Sequence, residues 1–456
     1  MIFLRKDGTR QTTVSKKKTA EELPARKGSE PRMILTKEQQ DILNGSRGET
    51  MAKVLKTLVA YGDAFDAERL VPVTGDYGHT VISFGLGVMK PVYELYDRIL
   101  ADHEVSRQPF SADPRPVDKK NVPANIIQNI VFDVMYSQQK RYEDQAKRFG
   151  IMDDDAYTCT CYLPQVGNTP RRGDVLSWAE SSAVVYANSV LGARCNRNSG
   201  MIELMGSIAG LIPEFGLLTD DGRKADWIVE LRTSGLPDAQ LFGSAVGMKV
   251  MEKVPYVRGL DKYLGTELDD KACTYLKDFG AATASNGSVG LYHIENLTPE
   301  AVDFGESLIR EGAPVYVVDD AEIERVRNSY PCIWKDLDAK PKLCFMGCPH
   351  MTLSQLTEWT LRVEAALEEA GQKRVVIPTV FTAAPAVLRA FEETEYYNRL
   401  KRTGITVSSI CPLMYMNNPL CKTMPVITSS NKLRTYSSAR FYPEAEILKK
   451  ITGLSR

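Results

Sequence analysis

The sequence lacks long apolar runs: none approaches the ~18 residues that a membrane-spanning helix needs. It also lacks net charge, since 57 Lys and Arg stand against 58 Asp and Glu, for a formal charge of −1. No overall field therefore attracts the chain to nucleic acid or to anionic lipid. We predict a protein that does not enter membranes and does not depend on polyanions.

Cysteine is also scarce, with nine irregularly spaced residues among 456. This usage excludes a disulfide scaffold and favours a reducing compartment. The N-terminus has no apolar segment of the signal-peptide kind, because Arg5 and Lys6 follow Leu4 directly. We therefore expect a soluble, cytoplasmic protein.

Several familiar catalytic motifs are missing as well. The sequence has no Walker A motif, no GxGxxG after a strand pattern and no GxSxG nucleophile elbow. Its four histidines are too scattered for a His-rich metal centre. No CxxC pair supports a zinc ribbon or a thioredoxin-type site.

What remains is an ordinary globular composition, 43% hydrophobic and 25% charged, over a length too great for one core. We predict a basic disordered tail over residues 1–32 and three α/β domains over 33–150, 151–305 and 306–456. The tail carries nine Lys and Arg against four acids. Either it is an arm that touches RNA or the start codon is placed too early, since Met33 opens the first patterned segment.

Strand and helix patterns alternate in the last third of the chain. Strands are predicted over 314–318, 343–346, 374–380 and 405–410, and helices over 321–328, 354–370 and 385–400. Crossovers of this length indicate parallel strands in an α/β sheet, which binds ligands beyond the carboxyl ends of its strands. Cys348 and Cys411 follow two of these strands, so the third domain carries two candidate site residues.

Two capping boxes are predicted upstream. Thr36 with Gln39 begins a helix that ends at Asn44, and Ser177 with Glu180 begins a helix over 177–191. Arg194, Asn196 and Arg197 follow the second helix. The arginines either clamp a carboxylate or phosphate bidentately or hold helix-terminal carbonyls.

Three cysteines lie in loops that also carry Gly, Pro or His: Cys159, Cys348 and Cys411. Three thiolates from separate loops can hold an iron–sulfur cluster and leave one iron without a protein ligand. The alternative is that each packs as a small hydrophobic residue. We assign that role to the five others outside position 161, namely Cys195, Cys273, Cys332, Cys344 and Cys421.

From about residue 33 onward the chain resembles the large, catalytic subunit of aconitase X, a divergent branch of the aconitase superfamily. The resemblance rests on separated blocks: TCTCYL (158–163), WAESSAVVYANSVLGARCNR (178–197), FGAATASNGSVGLYHIENLTPEA (279–301), MGCPHMTL (346–353), ICP (410–412) and TSSNK (428–432). It implies a multi-domain aconitase-like α/β fold, with parallel or mixed sheets flanked by helices and the active site in the cleft between domains. It also implies dehydration of a hydroxylated carboxylic acid at an iron–sulfur centre.

The resemblance implies a role for individual residues. Cys159, Cys348 and Cys411 are the expected cluster ligands. Cys161 stands where the family usually has proline, so either of the two neighbouring thiolates could bind, and Cys159 is favoured by position. The catalytic candidates are Glu180, Lys432 and His350, although Glu180 could instead cap a helix and His350 could orient its loop. The substrate-binding candidates are Ser181, Ser182, Asn188, Arg194, Asn196, Arg197 and Ser430.

The resemblance also implies a partner, a small swivelling-domain subunit that completes the site and supplies a serine-type base. The expected substrate is cis-3-hydroxy-L-proline. The alternative is mevalonate 5-phosphate, whose phosphate would need cations such as Arg115, Lys119 or Lys120. Ser429, where asparagine is expected, and segment 111–118 depart from the family pattern in regions expected to touch substrate. A remote alternative is a non-catalytic scaffold or RNA-contacting protein that uses the basic tail.

Overall fold

The computed structural model describes residues 32–454, so the predicted tail lies outside the described residues except for Arg32. Helices alternate with short strands over this range, and none of the helices described is long and apolar enough to cross a membrane. The strands are β1 (Leu70–Pro72), β2 (Gly78–Thr80), β3 (Phe110–Ala112), β4 (Leu211–Pro213), β5 (Trp227–Leu231), β6 (Pro255–Arg258), β7 (His293–Ile294), β8 (Val315–Val318), β9 (Leu343–Met351), β10 (Thr379–Ala383), β11 (Thr406–Ser408), β12 (Val426–Thr428) and β13 (Arg440–Phe441).

The helices flank these strands on both sides. They are α1 (Lys37–Leu43), α2 (Glu49–Ala64), α3 (Lys90–Ala101), α4 (Ile126–Met135), α5 (Gln139–Phe149), α6 (Ser181–Ser189), α7 (Gly200–Ala209), α8 (Ala239–Val250), α9 (Asp261–Leu264), α10 (Asp270–Gly287), α11 (Pro299–Phe304), α12 (Asp320–Asn328), α13 (Leu353–Glu369), α14 (Pro385–Glu392), α15 (Glu395–Arg402), α16 (Pro412–Met416), α17 (Asn431–Tyr436) and α18 (Glu444–Thr452). The predicted fold class, α/β with parallel sheets flanked by helices, is confirmed.

Two parallel sheets form the centre of the fold. One has five strands in the order β11-β10-β9-β12-β13, and the other has four in the order β7-β6-β5-β8. Strand β8, placed by the sequence in the third domain, pairs with β5 of the second. The division into three domains stays a prediction.

A smaller parallel array faces the five-stranded sheet. Strands β2 and β3 pair in parallel, and isolated parallel bridges add the segment around residue 178 on one side and that around residue 157 on the other. Four chain segments therefore run in one direction and end at one edge. The residues just beyond their carboxyl ends are Val81, Asp113, Cys159 and Glu180.

Strand β9 differs from its prediction in a way that shapes the site. It continues to Met351, and its pairing with β10 shifts between Met346 and Met351. Such a bulge bends a strand locally and re-aims its side chains. Gly347 begins it with a φ of 98°, in the left-handed region that favours glycine. Cys348 and His350 thus lie within the bulge and not after a strand.

Three other predicted elements need correction. The helix expected over 177–191 is α6, which begins only at Ser181, because the Ser177 hydroxyl donates to Glu203 and Glu180 alone caps the helix. The strand expected over 374–380 begins at Thr379, since the Val375 and Val376 amides bond outside the sheet. The helix expected over 385–400 is split into α14 and α15.

Candidate active site

A cavity of about 180 Å³ lies between the small parallel array and the five-stranded sheet. Its lining residues with ionisable side chains are Asp113, Cys159, Glu180, Cys348, His350, Cys411 and Lys432. The rest of its wall is largely apolar, with Val81, Phe84, Leu413 and Met414 among the lining residues. Each array thus contributes reactive groups to one enclosed space.

The three predicted cluster ligands all line this cavity. Cys159 follows the small array, Cys348 lies in the β9 bulge and Cys411 caps α16 after β11. Burial raises the pKa of each thiol. Cys348 further raises the pKa of Cys159 and of Cys411, so the sulfur atoms are close enough to interact electrostatically.

Three cysteine thiols are a donor set of the kind that an iron–sulfur cluster takes. Within residues 32–454 no group of three His, Cys, Asp or Glu side chains is arranged to hold one ion. A cluster instead presents separate irons to separate thiolates. Ligand thiols must be deprotonated, and Lys432 lowers the pKa of Cys159 and Cys348 against the effect of burial.

Cys161, the neighbouring thiol, lies outside the cavity wall. Its side chain is 0% exposed, belongs to the central hydrophobic core and is absent from the cavity wall. Cys159 is partly accessible through the cavity. The two cysteines therefore point to different sides of their segment.

His350 is held by both ring nitrogens. Its Nε2 lies 3.1 Å from the carbonyl oxygen of Ile410, which can only accept, so Nε2 carries the proton. Its Nδ1 lies 2.9 Å from the hydroxyl of Thr158 and accepts from it. Burial lowers the pKa of His350 to about 4. The neutral ring therefore joins the residues that precede Cys159 and Cys411, which matches the loop-orienting alternative.

Glu180 and Lys432 form a buried ion pair across the cavity. The Ser182 hydroxyl also donates to Glu180, at 2.7 Å, and the Ser181 hydroxyl lies 3.5 Å from the Lys432 amine. Burial acts to raise the pKa of Glu180, but Lys432 and Ser182 outweigh it and hold that pKa at about 2. Glu180 is thus both a helix cap and an ionised group on the cavity wall.

Asp113 is a lining residue that the sequence analysis did not name as a candidate, although it lies in segment 111–118, which was expected to touch substrate. Its side chain is buried, and its Oδ1 makes no hydrogen bond with the described residues. The nearest cation-forming atom is Nε2 of His79, at 3.8 Å. Burial, followed by Glu180, raises the pKa of Asp113 well above its usual range. Asp113 directly follows the short strand β3, but the sequence of that strand, Phe110-Ser111-Ala112, gives only a weak signal.

The two candidate arginines do not reach the cavity. Arg194 donates to the carbonyl oxygen of Leu218, at 2.8 Å, and pairs with Asp220. Arg197 donates to the carbonyl oxygen of Ser288, the C-cap residue that follows α10. These contacts match the alternative in which the arginines hold helix-terminal carbonyls.

The remaining substrate-binding candidates make hydrogen bonds to backbone groups. Asn188 donates to the carbonyls of Cys195 and Gly290, each at 2.8 Å. Asn196 donates to Phe215, at 2.9 Å, and accepts from the Leu217 amide. The Ser430 hydroxyl donates to the Cys348 carbonyl and caps α17. Of these three, only Ser430 contacts a residue of the cavity wall.

Comparison with known proteins assigns the family. A family model described as the aconitase X first domain matches residues 32–221, and one described as the aconitase X second domain matches residues 225–328. The chain belongs to the aconitase X family. The prediction from the sequence blocks is therefore confirmed, and this aconitase X chain is a dehydratase.

The relatives carry two different names. The phosphomevalonate dehydratase large subunit of Thermococcus kodakarensis is 32% identical over 372 residues, which cover 81% of this chain and 86% of that protein. The cis-3-hydroxy-L-proline dehydratase of Hypocrea jecorina is 30% identical over 303 residues, 63% of this chain and 48% of that protein. The solved structure of Thermococcus kodakaraensis aconitase X in its holo-form matches with a TM-score of 0.76 and 27% identity, over 92% of this chain and 100% of that chain.

Proposed function

We propose that this chain is the large subunit of a dehydratase that removes water from cis-3-hydroxy-L-proline. The charge of the cavity wall carries the proposal: besides the ion pair of Glu180 and Lys432 the wall holds one further acid, Asp113, and no described arginine lines it. A zwitterionic amino acid suits this set, because its ammonium can meet the free oxygen of Asp113. A phosphate would instead require clustered cations.

Cys159, Cys348 and Cys411 would hold an iron–sulfur cluster at the edge of this cavity. When bound, the cluster supplies a Lewis acid that stabilises negative charge on the departing hydroxyl oxygen. Lys432 remains cationic because Glu180 and the neighbouring thiols raise its pKa against the effect of burial. It is therefore suited to orient the substrate carboxylate, while the apolar wall excludes water from the reacting carbon.

The base that removes the substrate proton is proposed to come from a small partner subunit. The names of relatives such as that from Thermococcus kodakarensis include the words "large subunit", which supports a two-chain enzyme. In this chain both ring nitrogens of His350 are occupied and Glu180 is bound to Lys432. These groups are poorly placed to act as a free base.

Phosphomevalonate is the second candidate substrate, favoured by the names of relatives such as that from Thermococcus kodakarensis. Two of the three cations predicted for its phosphate are engaged elsewhere: Arg115 pairs with Glu143, and Lys119 with Asp133. Neither lines the cavity. Binding of a phosphate would therefore depend on cations from the partner.

The deciding experiment is anaerobic co-expression with the small subunit, followed by an assay of both substrates. We expect turnover of cis-3-hydroxy-L-proline, and Asp113→Asn should raise its KM at least about tenfold, since one lost charge-assisted hydrogen bond is worth ~1.5–3 kcal/mol. Asp66→Asn is the control that should leave KM unchanged, since Asp66 is 87% exposed and does not line the cavity. Turnover of phosphomevalonate alone would replace the first candidate by the second.

A further inference from the structure

Helix α4 is apolar on more than one side. Its inner side packs into the core through Phe132, which is 2% exposed, and through Gln128, which donates to Cys421 Sγ at 3.4 Å. Its outer side carries four branched aliphatic side chains that fall within about 100° of the helix circumference. These are Ile126, Ile127, Ile130 and Val134, and they are 79%, 64%, 56% and 70% exposed. A helix that is apolar on all sides is normally buried on all sides.

A neighbouring loop extends this surface. Gly87 packs against the carboxyl end of α4, because a Cβ built on it would lie 2.7 Å from Ser137 Oγ and 3.4 Å from the Val134 carbonyl oxygen. The next residue, Val88, is 87% exposed. Together Val88, Ile126, Ile127, Ile130 and Val134 form what we name the α4 patch.

The α4 patch lies on the outer side of a layer whose inner side borders the cavity. The Tyr136 hydroxyl, one residue beyond α4, donates to the carbonyl oxygen of Met414 at 2.8 Å, and Met414 lines the cavity. Phe84 also lines the cavity, four residues before Val88. A protein seated on the patch would therefore stand beside the candidate active site.

We propose that the α4 patch is the docking surface for the small subunit of this dehydratase. The inference rests on the proposed function, because that function requires a second chain at the cavity, and relatives bear the name "large subunit". Contiguous exposed apolar side chains of this kind are typical of the core of a protein interface, with a standard interface covering ~800 Å² on each partner. The chain's own first 32 residues are a poor occupant, since they carry nine Lys and Arg and few apolar residues.

The test measures binding and not activity. The full chain is co-expressed with the small aconitase X subunit of the same organism, purified anaerobically, and the dissociation constant Kd of the complex is determined for wild type, Ile130→Asp and Val302→Asp. Val302 is the matched control, a 59% exposed aliphatic residue on α11. We expect Ile130→Asp to raise Kd at least about 30-fold, as a central interface residue does, and Val302→Asp to leave it within about twofold. The melting temperature of each variant alone confirms that it is folded, and Ile126→Lys provides an independent variant at the same surface.

Three results would overturn the proposal. The first is an unchanged Kd for both Ile130→Asp and Ile126→Lys. The second is a wild-type chain that binds no small subunit. The third is a wild-type homodimer that Ile130→Asp converts to a monomer, which would assign the patch to a second copy. A complex that forms through the patch but turns over neither substrate would leave the docking surface standing and remove the proposed function.

Discussion

At the scale of single residues, His350 connects segments that are distant in the sequence. Its ring bonds Thr158 and Ile410, the residues before Cys159 and Cys411, and its backbone amide lies 3.4 Å from Cys159 Sγ. Because both ring nitrogens are occupied, we propose that the ring contributes position and not proton transfer. Any side chain that cannot bridge both partners should let the cysteine-bearing segments move apart.

We therefore expect His350→Ala to lower the iron content of the anaerobically purified chain by more than half. Loss of two buried hydrogen bonds should also lower the free energy of unfolding by ~2–4 kcal/mol. The control is His293→Ala, a buried histidine that bonds the Arg223 carbonyl at 2.8 Å and does not line the cavity. It should lose stability but keep its iron. Equal iron loss in both variants would show that general destabilisation, and not positioning, was measured.

The burial of His79 leads to a prediction about how stability depends on pH. Its side chain is fully buried, and burial lowers its pKa to about 4, from the 6.5 of the model compound. Between these values the unfolded chain binds a proton that the folded chain does not, so stability falls as pH falls from about 6.5 to 4. A shift of this size corresponds to ~3 kcal/mol.

The measurement is the free energy of unfolding from pH 7 to pH 4 for wild type and His79→Gln. The comparison of the two proteins is needed because Glu203 also titrates, in wild type and variant alike. Burial raises the pKa of Glu203 to about 8, so its protonation stabilises the folded chain as the pH falls, opposite to the effect of His79. We expect the wild type to lose more stability on acidification than the variant. Parallel curves would mean that His79 does not titrate in this window.

At the scale of elements, the bulge in β9 depends on one glycine. At Gly347, with a φ of 98°, a Cβ would overlap the carbonyl oxygen of Thr382 and lie 2.8 Å from its Oγ1. The positive φ alone costs an L-residue ~1–2 kcal/mol. The steric overlap is added to that cost, and the backbone of the next residue, Cys348, must shift to relieve it.

We expect Gly347→Ala to lower the free energy of unfolding by more than ~2 kcal/mol and to reduce iron content. Gly371→Ala is the control, since Gly371 also has a positive φ, of 65°, but nothing within 4 Å of the built Cβ. It should show the backbone cost alone and retain its iron. Urea unfolding and iron analysis of the two variants separate the effects, and equal losses would contradict a special role for the bulge.

Elements with a strong local signal were predicted correctly from the sequence. The Thr36–Gln39 capping box and the end of α1 at Asn44 are present, and the helix expected over 354–370 is α13, Leu353–Glu369. The errors occur where a tertiary contact, and not the local sequence, determines where an element begins. Ser177 looks like a helix cap in the sequence, but its hydroxyl is taken by Glu203 on α7. No pattern in the sequence near Ser177 indicates that Glu203 binds its hydroxyl.

The candidate site, too, could be predicted from the sequence only in part. Cys159, Cys348 and Cys411 were expected to meet, and all three line one cavity. Arg194 and Arg197 were offered because arginines after a helix suit an anion, yet their carbonyl partners belong to other segments. Asp113 was missed because strand β3 has only three residues and carries little periodicity.

At the scale of the whole molecule, the cavity is built entirely from residues after position 80. Deletion of residues 1–31 should therefore leave the melting temperature within about 2 °C and the turnover of the two-subunit enzyme unchanged. The assay compares full-length and truncated chains, each with the small subunit. Loss of affinity for RNA with intact turnover would assign the tail a separate role, whereas loss of turnover would place the tail in the enzyme.

The exposed face of α4 also has a consequence for the cell that makes this protein. In the proposed assembly, a chain synthesised in excess of its partner would present adjacent isoleucine and valine side chains to water. Such a surface promotes self-association and attracts chaperones and proteases. Balanced production of the two chains would then be a condition for solubility as well as for catalysis, and orphan large subunits would be short-lived.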